Sequence, residues 1–439
     1  MADDPRTTEA LTSSAPLRAL VREHTLTVVG GEHDGAVHRF AAERMVIGAD
    51  LRADLVVADP AMSKFHCELR ITEGAAVVRD LGSRNGTLVD RVPVIEAPLR
   101  PGALLALGRT QLRFDVGASH REIPLSPRDR FGRLRGASVP MRAAFALLEA
   151  AAASQSTVLL QGESGTGKDL AAESIHLESA RQGGPFVVVD CGAIPANLLE
   201  TELFGYEAGA FTGAVSARRG AFEAAAGGTL MLDEIGELAL DLQPKLLRAI
   251  DRREIQRIGS TQRVPVDVRV IAATNRNLKE EVNARRFRSD LYFRLAVLVV
   301  RMPPLRERTI DIPLLVEAIL ADLGDRDSPM ARALGKGELL PELLRHAWPG
   351  NVRELRNYIE ACVVRQERAL EPSASSSDEP RIDVTLPLRA VREQWLRHVE
   401  RRYLEELLAA HGGNVSAAAR VAGVDRVHLH RLLSRAGLR

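Results

Sequence analysis

The chain has few of the features that mark secreted, membrane-spanning or disulfide-stabilised proteins. Three cysteines, Cys67, Cys191 and Cys362, are scattered over 439 residues, too far apart for a disulfide framework or a metal cluster. The N-terminus is acidic and lacks an apolar core, so we expect no signal peptide. No apolar run approaches the roughly 20 residues of a membrane span. We therefore expect buried, reduced thiols in a cytoplasmic protein that has no membrane partner.

An excess of charge of one sign is also missing. Lys and Arg number 59 against 58 Asp and Glu, so any surface that binds nucleic acid must be local. Hydrophobic residues make up 45% and charged residues 27% of the chain, which is ordinary for globular proteins. The length predicts about two to four domains.

A glycine-rich segment lies near the middle of the chain, between a predicted strand at 157–161 and a predicted helix at 171–177. Its residues are Gly162, Glu163, Ser164, Gly165, Thr166, Gly167, Lys168 and Asp169. Glycines let backbone N–H groups close on phosphates, the helix N-terminus adds a positive dipole, and a lysine neutralises the outer phosphates. We predict nucleotide binding here, although Asp169 replaces the hydroxyl residue that usually contacts Mg²⁺.

Two carboxylates end another predicted strand, at 229–234. We expect Asp233 to bind Mg²⁺ or its water shell, and Glu234 to polarise the attacking water. Asn275 ends a further predicted strand and can position water or the terminal phosphate. Strands that alternate with helices predict a parallel sheet, with the ligand at the C-terminal ends of its strands. The other strands and helices are predicted at 185–190, 268–273, 141–153 and 240–250.

Residues 23–117 have a different texture, with short β-like runs separated by Gly, Asp, Pro and Asn turns. Such spacing predicts an all-β sandwich or barrel. The runs lie at 26–29, 37–40, 44–47, 55–57, 67–71, 75–79, 104–107 and 111–114.

The C-terminal residues predict a DNA-binding unit. An amphipathic helix is expected at 395–410, with an apolar stripe of Leu396, Val399, Tyr403 and Leu407, and it is followed by helices at 415–421 and 426–435. The last thirty residues hold five arginines and one acid, a local excess that is typical of DNA binding. A small helical dimerisation bundle is the alternative.

The motor-like segment resembles a known family. Glu202 to Phe204 lead into an unbroken GAFTGA hexapeptide formed by Gly209, Ala210, Phe211, Thr212, Gly213 and Ala214. This hexapeptide resembles the signature of sigma-54-dependent transcriptional activators, the bacterial enhancer-binding proteins of the AAA+ class. Residues 162–169, 227–238, 287–295 and 348–357 are similar to that family in order and spacing. The C-terminal unit resembles the Fis-type DNA-binding domain of the same family.

This resemblance implies an ATPase that uses ATP and Mg²⁺. Thr274 and Asn275 would be sensor I, Arg288 and Arg294 arginine fingers that enter a neighbouring subunit's site, and Arg353 sensor II in a helical lid. The GAFTGA loop would contact sigma-54 in the RNA polymerase holoenzyme, and the chain would form oligomers from dimer to hexamer. Upstream DNA would be bound by Arg426, His428, His430 and Arg431. Asp190 stands where many members have asparagine.

The β-rich module resembles the forkhead-associated (FHA) domain, which reads phosphothreonine, through Ser63 to His66 and Asp80 to Thr87. The resemblance implies that Ser63, Lys64 and Arg84 hold the phosphate and that Asn85 bonds the peptide backbone. His66 is interpreted as a brace between loops. The chain has Gly48-Ala49 where the family has Gly-Arg, and Arg52 is the candidate replacement. A degenerate module used for packing is the alternative.

Together these patterns predict a multidomain protein: an all-β FHA-like sandwich, an α/β P-loop ATPase with a helical lid, and an all-α helix-turn-helix. The phosphothreonine reader would link it to a Ser/Thr kinase pathway in a two-component-like manner. The alternatives are an AAA+ remodeller or a DNA-binding repressor that does not act on sigma-54, and a phosphopeptide scaffold whose motor is inactive. The expected boundaries are a leader at 1–22, the FHA domain at 23–117, a linker at 118–134, the α/β subdomain at 135–305, the lid at 306–368, a disordered linker at 369–390 and the DNA reader at 391–439.

Overall fold

The structure is a computed structural model of the chain. It describes residues 18–30, 33–41, 44–72, 75–324, 328–335, 337, 339–367, 389, 392, 395, 396, 399–401, 403–405, 407, 411 and 415–435. The chain divides into two compact units, Met1–Val364 and Arg365–Arg439, which are described separately. No helix in the described ranges is long and apolar enough to cross a bilayer.

The N-terminal module is a sandwich of two sheets, as predicted. One sheet has the order β2-β1-β11-β10-β7-β8 and the other β4-β3-β5-β6-β9. The strands are β1 (Arg18–Val29), β2 (Val37–Phe40), β3 (Arg44–Gly48), β4 (Leu55–Val56), β5 (Cys67–Thr72), β6 (Ala75–Asp80), β7 (Thr87–Val89), β8 (Val92–Val94), β9 (Glu96–Leu99), β10 (Leu104–Leu107) and β11 (Thr110–Pro124). Leu26 and Phe114 of the first sheet and Ile47 and Leu69 of the second are fully buried in one core.

The predicted leader and linker are partly wrong. β1 begins at Arg18 and β11 continues to Pro124, and these ends pair with each other, Arg18 opposite Pro124. The pairing satisfies backbone hydrogen bonds without burying apolar side chains, since Leu20 is 69% exposed. The sequence therefore has no apolar alternation there. Residues 1–17 of the predicted leader lie outside the described residues.

The second half of the predicted linker belongs to the motor. It forms the hairpin of β12 (Arg130–Phe131) and β13 (Leu134–Arg135). Phe131 is fully buried and packs in the same core as Phe145 and Leu160. This segment is thus fixed by hydrophobic burial rather than free to act as a spacer.

The motor is built on a parallel sheet, as predicted, and its five strands have the order β15-β18-β21-β14-β22. The fifth strand, β22, is not among the predicted strands. Its strands are β14 (Val158–Gln161), β15 (Phe186–Asp190), β18 (Thr229–Asp233), β21 (Arg269–Thr274) and β22 (Leu298–Arg301). Short pairs are formed by β16 (Gly205–Tyr206) with β17 (Arg218–Arg219) and by β19 (Glu254–Gln256) with β20 (Arg263–Pro265). Its helices are α1 (Val139–Ala153), α2 (Lys168–Leu177), α3 (Ala196–Phe204), α4 (Ala221–Ala224), α5 (Gln243–Arg252), α6 (Leu278–Asn283) and α7 (Ser289–Leu295).

Helices alone follow the sheet, which agrees with the predicted lid. They are α8 (Ile312–Asp322), α9 (Pro329–Gly335), α10 (Leu340–Arg345) and α11 (Asn351–Arg365). Trp348 is fully buried, and its indole N–H donates to the Leu343 carbonyl at 2.7 Å. This aromatic anchor fixes the turn that leads into α11, which faces the nucleotide site.

The sandwich packs directly on the motor. Val46, Phe65 and Leu81 of the sandwich share one buried core with motor residues that include Leu291 and Tyr292. The Asn283 amide at the end of α6 donates to the carbonyls of Phe65 and Leu81, the latter at 2.8 Å. Apolar burial and paired backbone groups therefore hold the two domains together.

The C-terminal unit contains the predicted pair α12 (Val415–Val421) and α13 (Arg426–Arg435). Leu404 and Leu407 pack with Leu429 and Leu433 in its core. The predicted stripe is wrong for three of its members: Leu396 is 63%, Val399 57% and Tyr403 52% exposed. Among the described residues that precede the helix pair, Leu404 and Leu407 are buried against it. Except for residue 389, the predicted linker at 369–390 lies outside the described residues.

Candidate active site

The glycine-rich loop joins β14 to α2, as predicted, although α2 begins at Lys168 rather than at residue 171. Gly165 and Gly167 have φ angles of 77° and 102°, which glycine adopts at little cost. Lys168 is 6% exposed, and its ammonium donates to the carbonyls of Gly162 at 3.0 Å and Glu163 at 3.3 Å. The loop thus curves around a buried cation at the positive end of a helix, which suits a phosphate chain.

The lid closes on this loop from the other side. The Arg353 guanidinium donates to the Ser164 hydroxyl at 2.8 Å, and the Val352 N–H donates to the Gly165 carbonyl at 3.0 Å. A Cβ at position 165 would lie 2.3 Å from the Gly350 carbonyl oxygen, so only glycine permits this approach. The predicted sensor II arginine therefore lies against the phosphate loop.

Sequence reasoning missed three other residues that hold the loop. The Asn351 amide donates to the Ser164 carbonyl at 3.0 Å and to the Glu163 carboxylate at 3.1 Å. The Glu163 carboxylate also accepts two hydrogen bonds from Arg306, at 2.7 and 2.5 Å, and Arg308 donates to the Thr166 carbonyl at 3.1 Å. Arg306 and its bonds hold the pKa of Glu163 below its usual range. These residues lie more than a hundred positions downstream, so no local pattern indicates them.

Both predicted acids, Asp233 and Glu234, lie at the C-terminal end of β18. Asp233 ends β18, and the Glu234 carboxylate lies 3.8 Å from the Lys168 ammonium and accepts from the Asn275 backbone N–H at 3.1 Å. Glu234 has a left-handed backbone with φ 47°, an uncommon conformation that clusters at functional sites. Lys168, Asp233, Glu234 and Asn275 are thus brought together at the C-terminal edge of the sheet.

The residues present fit a divalent cation bound with a nucleotide. Burial raises the pKa of Asp233, and the negative charge of Asp169 raises it further. A cation between these carboxylates would offset both effects, and hard oxygen donors suit Mg²⁺. Across the described ranges, no three His, Cys, Asp or Glu side chains converge to hold a metal by themselves, so phosphate oxygens and water would supply the remaining ligands.

Asp190 does not hold Glu234 in this structure. Its carboxylate accepts from the backbone N–H groups of Gly192 at 2.8 Å and Ala193 at 3.0 Å. The acid therefore caps its own turn, as carboxylates commonly do. Cys191 beside it is buried, and burial together with the surrounding acids raises its pKa to about 12. Cys67 and Cys362 are also buried free thiols, which confirms that prediction.

The two predicted arginine fingers are exposed and lie on or next to α7. Arg288 pairs with Asp290 at 2.8 Å, and Arg294 pairs with Asp251 at 2.5 Å. Arg294 also lines a cavity with Thr157 and Val268, which precede β14 and β21. This is the end of the sheet opposite the phosphate loop. Arg294 therefore lies away from the phosphate loop of its own chain.

The GAFTGA loop rises from the α3–α4 region, above the small β16–β17 pair. The Gly209 N–H donates to the Ala214 carbonyl at 2.8 Å, which closes the loop. Phe211 packs edge-on against Tyr206, with ring centroids 5.0 Å apart, yet remains 45% exposed, and Val215 is 92% exposed. An exposed aromatic side chain at a loop tip indicates a contact surface.

The two loops that carry Ser63 and Arg84 contact each other. The Ser63 hydroxyl accepts from the Arg84 backbone N–H at 2.9 Å, and the Asn85 amide donates to the Ala61 carbonyl at 2.6 Å. His66 is fully buried and links both loops, since Nδ1 accepts from the Ser63 N–H at 3.2 Å and Nε2 lies 3.0 Å from the Gly86 carbonyl. This geometry agrees with the interpretation of His66 as a brace.

The predicted DNA-contact residues lie on α13. Arg426, His428 and Arg431 are exposed, and His430 is half-buried. The Asp425 carboxylate accepts from the His428 N–H at 2.8 Å and caps the helix start. The first turn of α13 thus presents cationic and imidazole side chains to solvent, as a recognition helix requires.

Four family descriptions match the chain. They are "Sigma-54 interaction domain" at 134–301, "AAA+ ATPase lid domain" at 306–374, "Bacterial regulatory protein, Fis family" at 396–435 and "Inner membrane component of T3SS, cytoplasmic domain" at 27–116.

Relatives cover most of the chain. The transcriptional regulatory protein ZraR of Klebsiella oxytoca is 39% identical over 398 residues, which span 84% of this chain and 88% of that protein. The crystal structure of NtrX from Brucella abortus in complex with ATP is 35% identical and covers 71% of this chain and 70% of its own, with a TM-score of 0.47. A structure from a study of phosphothreonine-dependent FHA domain interactions is 28% identical, with a TM-score of 0.21, and covers 22% of this chain and 97% of its own.

The family matches agree with the motifs and the geometry of the nucleotide site. The chain is an ATPase of the AAA+ class, and it belongs to the family of sigma-54-dependent transcriptional activators.

Proposed function

We propose that copies of this chain bind upstream DNA, assemble into a ring that is a hexamer, and use ATP hydrolysis to remodel the closed complex of sigma-54 RNA polymerase. The observation that carries this proposal is the intact GAFTGA loop, with Phe211 exposed at its tip, on the same domain as the nucleotide site. Because polymerase and DNA are its partners, its compartment is the cytoplasm. The domain division is that expected from the sequence, with the sandwich extended to residues 18–124.

In the nucleotide site, residues 162–169 bind the ATP phosphates, and Lys168 neutralises them. Asp233 holds Mg²⁺ with the nucleotide; the ion supplies charge neutralisation at the phosphates. Glu234 polarises the attacking water, and Asn275 holds Glu234 through its backbone N–H. Arg353 reports the state of the nucleotide to the lid, a role supported by its bond to Ser164.

Arg288 and Arg294 complete the site of the neighbouring subunit. Their exposure and the position of Arg294 at the far end of the sheet support this role. Cations that approach the transferring phosphoryl group stabilise the charge that spreads over its oxygens. Hydrolysis therefore depends on assembly.

The outer domains connect this motor to its input and its target. Arg426, His428, His430 and Arg431 face DNA, with base edges or phosphates as their partners. The FHA-like sandwich reads a phosphothreonine protein or a Ser/Thr kinase through Ser63, Lys64, Arg84 and Asn85. The meeting of the Ser63 and Arg84 loops supports this reading.

In vitro transcription with sigma-54 holoenzyme on a supercoiled template tests the proposal. We expect an ATP-dependent transcript from the wild type. Phe211→Ala lowers transcription about 30-fold or more, as loss of an interface hot spot does, while ATPase activity stays within about twofold because the Phe211 ring packs on Tyr206 and not on a residue of the nucleotide site.

Val215→Ala is the matched control, since Val215 is a more exposed apolar residue beside the same loop. It should keep both activities. If the wild type gives no ATP-dependent transcript, the proposed function is wrong. If Phe211→Ala transcribes normally, Phe211 is not the contact.

A further inference from the structure

A cavity of about 570 Å³ lies where the FHA-like loops meet the motor. Its polar lining comes from Ser63, Lys64 and Arg84 of the sandwich and from Asn283 and Arg285 of the motor. The described residues that line it include no carboxylate. Its volume is within the usual range of ligand sites, and its lining combines a hydroxyl, an amide and three cations.

Three cations in one cavity leave an excess of positive charge. Among the described residues, neither Arg84 nor Arg285 forms an ion pair, and Lys64 contacts the Ser289 hydroxyl at 3.3 Å instead of an acid. Neighbouring arginines are satisfied, since Arg286 pairs with Glu281 at 2.7 Å. A phosphate dianion is the ligand that such a set of donors suits.

Arg285 also has an unusual backbone. It follows α6 with φ 59°, a left-handed conformation that usually belongs to glycine after a helix. A long side chain at such a position is strained, and strained residues cluster at functional sites. Of the non-glycine residues that line the cavity, only Arg285 has this backbone conformation, and the observation is independent of the charge count.

The expected substitute for the missing arginine at Ala49 has another role. The Arg52 guanidinium lies 3.5 Å from the ring centroid of Phe293 in the motor, a cation–π contact that holds the domains together. Arg52 does not line the cavity. The Ala49 N–H donates to the Ser63 carbonyl at 3.0 Å, so its loop runs beside the site but brings only a methyl group.

We propose that Arg285 of the motor supplies the cation that the sandwich lacks, so that phosphothreonine binds in a composite site shared by the two domains. This inference rests on the proposed phosphothreonine reading. A bound phosphate would attract Arg285, and Arg288 follows three residues later in the same segment. The signal would thus reach the intersubunit site through the chain itself.

The test measures binding of a fluorescent degenerate peptide pool with a central phosphothreonine to the full chain, by anisotropy. We expect Arg285→Gln to weaken binding about tenfold, as loss of one close charge partner does, and Arg285→Lys to retain part of the affinity. Arg285→Gly removes the cation but relaxes the backbone, so binding falls while the melting temperature stays equal or rises. Arg286→Gln is the matched control and should bind like the wild type.

The outcomes separate the two proposals. If the wild type binds the unphosphorylated pool equally well, phosphothreonine reading and the composite site both fail. If phosphate is required and Ser63→Ala abolishes binding, but Arg285→Gln and Arg285→Gly bind like the wild type, the reading stands and the composite site is overturned. If inorganic phosphate displaces the pool at equal phosphate concentration, the cavity is a general anion site and the phosphothreonine assignment is overturned.

Discussion

The two regions that we assign to phosphate are built in opposite ways. The motor's loop is a run of consecutive residues, and we assign phosphate binding to its backbone N–H groups and to the buried Lys168. The sandwich's site collects Ser63, Arg84 and Arg285 from distant parts of the chain. The motor's loop is one stretch of backbone that Arg306, Arg308 and Asn351 hold in place, whereas the second site exists only while two domains stay packed.

The same difference governs their electrostatics. Lys168 is buried, so its interaction with a phosphate is weakly screened by solvent and salt, while Arg84 and Arg285 are exposed. Removal of one charged side chain should therefore reduce nucleotide binding by the motor more than phosphopeptide binding by the sandwich. Salt should weaken phosphopeptide binding more than nucleotide binding.

The motor's phosphate loop lies within one subunit, whereas we propose that the arginine fingers come from a neighbouring subunit. We expect Arg288→Ala and Lys168→Ala each to lower kcat about 10³-fold, because either change removes charge stabilisation of the transferring phosphoryl group. Co-expressed with two affinity tags and purified together, the two inactive variants should recover part of the activity, since an intact loop in one subunit meets an intact finger from the other. Phosphate release measures it.

Arg286→Ala is the control for this experiment, because Arg286 pairs with Glu281 within its own domain. It should keep nearly full activity. If mixed oligomers containing both variants are as inactive as each variant alone, Arg288 acts within its own subunit and the assignment in trans is wrong.

The phosphopeptide site needs the interface between the sandwich and the motor, and a substitution in that interface should affect it more than the nucleotide site. Phe65 is fully buried, with its ring centroid 5.7 Å from that of Tyr292 and 5.9 Å from that of Phe293. Phe65→Ala should lower the free energy of unfolding by about 3–5 kcal/mol through cavity formation, as measured by guanidinium titration.

Phosphopeptide binding should weaken in this variant, while ATP affinity of the folded protein stays near that of the wild type. Leu51→Ala is the control, since Leu51 is 88% exposed in the same sandwich, and it should change stability by less than about 0.5 kcal/mol. Equal weakening of ATP binding in Phe65→Ala would show that the motor's site also depends on the interface.

The smallest expected effect is a change in stability when Asp233, an acid near Lys168, is replaced. Because Asp233 has a raised pKa in the folded protein, its ionised form costs stability at neutral pH. Asp233→Asn should raise the free energy of unfolding by about 1 kcal/mol while abolishing hydrolysis. The gain should shrink as pH falls through the folded pKa and vanish well below the unfolded value of 3.8, where the wild type is protonated in both states.

Thermal melts of both proteins from neutral to acidic pH measure this difference. Asp241→Asn, a change at an exposed carboxylate, should leave stability unchanged at every pH. A gain that stays constant with pH would assign the effect to packing rather than to the charge of Asp233.

Much of the fold was predictable because its signals are local. The parallel sheet follows from apolar runs such as 158–160, and the helix pair from 415–421 and 426–435. Three sandwich strands, at 87–89, 92–94 and 96–99, were missed since they are short and carry mostly half-buried or exposed residues. Pairing with neighbours, not side-chain pattern, makes them strands.

The acids at the end of β18 were predictable for the same reason, but the residues that restrain the phosphate loop were not. Arg306 and Asn351 reach Glu163 from the start of the lid. Each is an ordinary polar residue in its own segment, and distance along the chain removes any pattern that could link it to the site. The exposed stripe at Leu396, Val399 and Tyr403 is a further case, since burial depends on what packs above a helix.

The motor's phosphate loop, its acids and the hexapeptide that identifies the family can be identified without the structure, because each depends on neighbouring residues and on glycine backbones. The packing of the loops that carry Ser63 and Arg84 on α6 and α7, by contrast, is visible only in the folded protein. The Asn283 amide reaches the Phe65 carbonyl across 218 positions of sequence. That packing puts Arg285 beside Ser63 and leaves Arg52 on Phe293, since proximity between distant segments is set by shared burial and not by spacing along the chain.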